Sequence, residues 1–138
     1  MLENFEYADI IRGSDEDFLN IFGEPTVKKS TPTYPFLLRP FHHHSRSRRR
    51  EPLPRDLRLH FDSPSIRPVS TIGAGDNFNA GILYGLLKNN VRHRDLATLP
   101  KETWANIIRC GIDLATEVCR SYDNYISKEF ATSYLSQS

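Results

Sequence analysis

Apolar positions follow two regimes along this chain. After a short extended approach at residues 66–71 they recur at helical spacing. Phe78, Ile82 and Leu86, with Leu83 and Leu87 one position off, predict a helix that begins near Asp76 and ends at Asn89-Asn90. Pro100 then suits the first turn of a second long helix, where a missing N–H carries no penalty. The inward face of that helix would carry Trp104, Ile107, Ile108, Gly111, Ile112, Ala115, Val118 and Cys119, and its end is expected by Asp123-Asn124. A shorter unit precedes these. Residues 7–14 read as a short, largely buried strand centred on Ile10 and Ile11. Ser14 suits an N-cap with Asp17 three residues on, as in a capping box. Phe18, Leu19, Ile21 and Phe22 give the helix that follows its apolar face, and Gly23 is a fitting stop. A β-turn-α unit of this kind belongs to doubly wound α/β sheets.

The second regime, residues 25–65, has little of either period. Prolines at 25, 32, 35, 40, 52, 54 and 64 break any long helix or central strand. Only Tyr34–Leu38 and Leu57–Phe61 read as short strands. The rest reads as irregular and too polar to offset its ordering entropy. Charge sharpens the contrast. Residues 25–69 hold ten Lys or Arg against three acids, although the whole chain has a net charge of only +1. This organisation divides the chain into residues 1–24, an Arg/Pro/His-rich segment at 25–65, and residues 66–138.

Composition narrows the classes. With 38% hydrophobic and 25% charged residues, the chain reads as a soluble globular protein. No apolar run approaches the ~20 residues of a membrane span, and the acidic N-terminus lacks a signal-peptide core, so a cytoplasmic location is expected. Cys110 and Cys119 fall on one predicted helix, roughly 13 Å apart along its axis, too far for a disulfide and at the wrong spacing for zinc. They read as small buried hydrophobes. Arg46–Arg50 lacks the interleaved aromatics of a nucleic-acid module, and His42–His44 has no cysteine or acid at ligand spacing.

The chemistry concentrates at Gly73-Ala74-Gly75-Asp76. Two glycines flanking a small alanine allow close backbone approach, and the start of the following helix presents amides and partial positive charge. Such a turn suits the transferring phosphate of a nucleotide. A carboxylate at its rim would repel a phosphate. It makes sense as a base that takes the proton of an attacking hydroxyl. Taken alone, the four residues are more often those of a mere N-cap turn, and they lack the Gly-Lys-Ser/Thr ending of a P-loop and the third glycine of the dinucleotide fingerprint.

The longer run Thr71-X-Gly73-Ala74-Gly75-Asp76-X-Phe78-X-X-Gly81 closely resembles the C-terminal signature of the ribokinase-like (PfkB) carbohydrate kinases. The resemblance implies a partial ribokinase-like, doubly wound three-layer αβα fold and use of ATP and Mg²⁺ to phosphorylate a sugar hydroxyl. Asp76 matches the catalytic base, and Gly73, Ala74 and Gly75 match the anion hole. Ser70 stands where the pattern usually has Asp, which makes a monovalent cation doubtful here. Arg12-Gly13-Ser14-Asp15-Glu16-Asp17 resembles the family's strand-end segment, in which the final acid organises the magnesium and phosphate site. Asp17 would be that residue, one methylene shorter than the usual Glu, and the capping role can coexist with it. Ala115–Asn124 is similar to the C-terminal helix that flanks the adenine pocket.

Family members are much longer chains whose N-terminal portion supplies the sugar-binding residues and a lid, so a C-terminal fragment is expected. It would need completion by another chain or by a homo-oligomer. Where the family has strands and a glycine turn, residues 25–62 contain no glycine and seven of the chain's thirteen arginines. Flanks that match and a foreign middle are what compensating frame changes would produce. A non-catalytic nucleotide- or partner-binding module with a basic arm is the alternative to the kinase.

Overall fold

Glycine at positions 81 and 85, one helical turn apart, leaves a shallow groove on a helix into which a second backbone can settle. That groove organises the second half of the molecule. The computed structural model describes residues 66–137 and, of the remainder, Ala8, Ile10, Arg12, Asn20, Phe36–Leu38 and Leu57–Leu59. It divides into two units, one of Met1–Ser63 with His93–Thr98, the other of Pro64–Arg92 with Leu99–Ser138.

In the first unit, strands β1 (Phe36–Leu38) and β2 (Leu57–Leu59) pair antiparallel, with Phe36 opposite Leu59 and Leu38 opposite Leu57. Both fall inside the segments expected to be strands. His93–Thr98 forms a 3₁₀ helix. Asn20, within the helix expected after Ser14, is helical. Of the strand expected at 7–14, the described residues Ala8, Ile10 and Arg12 are not in a strand. Among the described residues β1 and β2 pair only with each other. Asp17, His42–His44 and Arg46–Arg50 lie outside the described residues. Among the described residues the only strands are β1 and β2, so the parallel sheet of a doubly wound fold is not among them.

The second unit is built on helices α1 (Ala74–Lys88), α2 (Lys101–Val118) and α3 (Lys128–Ser136). α1 ends in a Schellman motif whose left-handed residue is Asn90 (φ 52°): the Asn90 amide donates to Leu87 O and the Val91 amide to Leu86 O, both at 3.0 Å. Asn89 adds a side-chain bond of 2.8 Å to the Gly85 carbonyl. α2 stops at Val118, within the limit of Asp123-Asn124 expected for its end. The carbonyl of Cys119 turns out to accept from the Val69 amide at 2.8 Å and, more weakly, from Ser70 at 3.5 Å. The extended approach to α1 thus satisfies a helix-end carbonyl that would otherwise need a further turn.

α1 and α2 pack through the glycines. A Cβ on Gly81 would lie 2.4 Å from the Cys110 carbonyl oxygen, and one on Gly85 would lie 2.8 Å from Ile107 Cα. Gly111 reciprocates beneath the ring of Phe78, whose nearest ring atom would be 3.0 Å from an added Cβ. Phe78, Ile107, Ile108 and Val118 are essentially fully buried, and Trp104, Ile82, Ile112, Leu114 and Ala115 complete the core. Each large side chain buried this way contributes about 1.5–3 kcal/mol, more than a typical cap. Packing therefore governs the stability of this unit. The expected apolar stripe of α1 needs correction on one side. Leu83 and Leu87 are 62% and 77% exposed, and Leu86 is half-buried. α1 meets α2 along Ala74, Phe78, Gly81, Ile82 and Gly85, and Leu83 lies roughly 140° around the helix from Phe78.

α3 lies beyond the last expected element. Ser127 caps it, its Oγ accepting from the Phe130 amide at 3.0 Å. Tyr134 fastens it to the helix pair. The phenol donates to Asp113 Oδ2 at 2.8 Å, and its ring meets Tyr84 and Phe130 at centroid distances of 5.9 and 5.5 Å. Burial, and then the hydrogen bond to Asp113, push the Tyr134 phenol well above its ordinary value of 10.0. Cys110 and Cys119 are free and buried, in keeping with the sequence reading, and burial pushes the Cys119 thiol up.

Two measurements test this packing. Gly81→Ala gains about 1 kcal/mol of helix propensity but forces a Cβ onto the Cys110 carbonyl, an overpacking of about 1–3 kcal/mol. Its urea midpoint is expected to fall, and an unchanged or higher midpoint would contradict the glycine contact. For Tyr134, the folded chain keeps a phenolic proton that the unfolded chain loses above its ordinary value of 10.0. The stabilisation is complete below that pH and declines as pH rises above it. The difference in melting temperature between wild type and Tyr134→Phe is expected to shrink from about pH 8 to about pH 11. A constant difference would contradict the assignment.

Candidate active site

The residues leading into α1 are held before the helix starts. Val69 and Ser70 hang from the Cys119 carbonyl, and Ser70 Oγ accepts from the Ile72 amide at 3.2 Å, closing a local turn. Ser70, the position at which the resemblance leads one to expect Asp, therefore has a backbone partner of its own. Thr71 then offers its carbonyl to the Ala74 amide at 3.2 Å.

Gly73 is the N-cap of α1 and takes φ 80°, ψ −5°. Two independent reasons demand glycine there. The left-handed backbone disfavours any Cβ, and an added Cβ would lie 2.8 Å from Asn124 O and 2.9 Å from Asn124 Cβ. The turn is thus pressed against Asn124, in the segment that follows α2. Ala74 is buried, Gly75 half-buried and Asp76 exposed, in the first turn of a fifteen-residue helix. A carboxylate at that place interacts favourably with the helix dipole, by about 0.3–1 kcal/mol. The same dipole favours an anionic ligand at the turn.

Asn77 was not singled out by the sequence reading. Its backbone N–H makes the first helical bond, to Gly73 O at 2.9 Å. Its side-chain Nδ2 donates to the same carbonyl at 3.0 Å and to Asn124 O at 2.9 Å. Only the position four residues after the N-cap glycine hinted at the first contact. Nothing local could announce the second, which spans 47 residues.

The structure therefore gathers Ser70, Gly73, Ala74, Gly75 and Asp76 at one helix start. Asp17, expected to organise magnesium and phosphate, lies outside the described residues. Among the described residues no group of three or more His, Cys, Asp or Glu is arranged to hold a metal ion, and no described helix is long and apolar enough to cross a membrane.

Neither curated proteins nor solved structures match the chain significantly. The family model described as pfkB family carbohydrate kinase matches residues 55–130, more than half of the chain, including the glycine turn, α1 and α2. A match of that extent, taking in the left-handed glycine turn and its neighbouring carboxylate, shows that this chain belongs to the pfkB family of carbohydrate kinases.

Proposed function

We propose that the second unit is the phosphate-handling part of an ATP-dependent kinase acting on a sugar hydroxyl, with Asp76 as the general base. The observation that carries this reading is the Gly73–Asp76 turn, left-handed at Gly73 and opening a long helix within the family match. The residues present fit a phosphate. Gly73 and Gly75 carry no side chain, Ala74 is small, and the helix start favours negative charge. The Ala74 amide already contacts Thr71 O, at the long end of the hydrogen-bond range. An N–H shared between a carbonyl and a phosphate oxygen is an ordinary three-centre arrangement.

In the proposed reaction the substrate oxygen bonds to the γ-phosphorus as the bond to the ADP oxygen breaks, and the hydroxyl proton passes to an Asp76 carboxylate oxygen. The turn at Gly73, Ala74 and Gly75 stabilises charge on the transferring group. Mg²⁺ carried with the nucleotide supplies charge neutralisation, and Asp17 is proposed to organise it. No monovalent cation is invoked, since Ser70 replaces an acid and holds Ile72. The surrounding three-layer ribokinase-like fold, a cytoplasmic location and a sugar pocket contributed by a complementing chain or a second copy belong to the same proposal. Positioning is the larger part of phosphoryl transfer, so the chain alone is expected to turn over slowly.

Calorimetric titration of the full chain with Mg-ATP tests the reading. Gly75→Glu, which sets a carboxylate at the turn, is expected to abolish binding, whereas Asp76→Asn is expected to retain it. Sugar-dependent ADP release should fall at least ~100-fold in Asp76→Asn. Wild type that ignores Mg-ATP would instead support a non-catalytic module with a basic arm.

A further inference from the structure

We infer that Asn77 is a positioning residue that clamps the phosphate turn, through Asn124, to the segment following α2; the inference rests on the kinase reading above. The argument begins with redundancy. Gly73 O already accepts the Asn77 backbone amide at 2.9 Å, so a second bond from the same residue at 3.0 Å adds little to the helix itself. Asparagine is also a mediocre helix former inside a first turn. The side chain's distinctive contact is the other one, 2.9 Å to the carbonyl of Asn124.

Both partners are carbonyl oxygens, so only the NH₂ end of the amide can face them, which fixes the orientation of the side chain. One group thus joins the turn and the segment after α2. Gly73 completes the joint from its own side, since Asn124 occupies the space a Cβ would need. The Val69 and Ser70 bonds to Cys119 O bring the approach to the same end of α2. With its carbonyl held from two directions, the peptide joining Gly73 to Ala74 cannot rotate freely, and the amides that follow keep their direction before any ligand arrives. A turn ordered in advance does not lose further conformational entropy on binding phosphate.

Two substitutions separate this clamp from a general contribution to folding. Asn77→Asp keeps the shape but sets carboxylate oxygens against two carbonyls. Asn77→Ser can still bond the carbonyl four residues back but cannot reach Asn124. Each variant, as the full chain, is titrated with Mg-ATP and with adenosine, while far-UV circular dichroism reports its helix content. Expected is a loss of Mg-ATP affinity of about tenfold in both variants, with adenosine affinity and helicity kept. If Asn77→Asp fails to fold, Asn77→Ser decides. Wild-type affinity for Mg-ATP in the folded variants would overturn the clamp and leave the kinase reading standing. An equal loss for adenosine would overturn it too, marking a merely structural residue. Wild type that binds no Mg-ATP, with Gly75→Glu indistinguishable from it, would overturn both.

Discussion

The approach of two backbones at Gly81 and Cys110–Gly111 is the constraint on which the second unit depends. With side chains in that seam, α1 and α2 would stand farther apart, Phe78 would lose its place over Gly111, and the buried row from Trp104 to Val118 would lose its cover. The seam also fixes the direction of α1. The first turn of α1 comes to face the segment that follows α2, so a packing contact in mid-helix determines where the glycine turn meets Asn124. Fold and site are linked by geometry here, with the core setting the angle and the turn using it.

Much of this was legible along the chain because helical periodicity survives without knowledge of partners. The positions that spacing assigns to the inward face of α2 are all buried, with Cys110 and Leu114 buried beside them, and the start of α1 lies within two residues of the one expected. Periodicity failed where a helix has apolar residues on more than one side. Leu83 and Leu87 read as core beside Ile82, yet the line that meets α2 runs through Gly81 and Gly85, residues that register in no hydrophobic count. α3 escaped notice for a related reason. It is short, and what holds it is Tyr134 against Asp113, a pairing across 21 residues. Its only local signals were Ser127 ahead of Glu129 and the spacing of Phe130 and Tyr134. The sequence bounds the end of α2 only by Asp123-Asn124, because what takes up the Cys119 carbonyl is a tertiary bond and not a local stop signal.

The candidate site was legible differently, as a run of residue types at fixed spacing. Gly73 adopts a left-handed backbone open to glycine, and the family match encloses it. What the run could not convey was its scaffolding. Ser70 binds Ile72, Thr71 binds Ala74, and Asn77 reaches Asn124. Of the residues in these contacts, only Ala74 would meet the phosphate in the proposed reaction. They decide how firmly the turn holds its shape, while the motif decides which atoms it presents. Asp17 belongs to the part of the proposal that rests on sequence alone.

The carbonyl of Cys119 serves two masters. It ends α2, and it suspends Val69 and Ser70 just ahead of the glycine turn. Any excursion that lets the approach swing away therefore leaves a helix terminus bare, and any fraying of that terminus slackens the approach. Loop and helix end form one cooperative unit of opening, so breathing of the glycine turn is metered by how well the last turn of α2 stays wound.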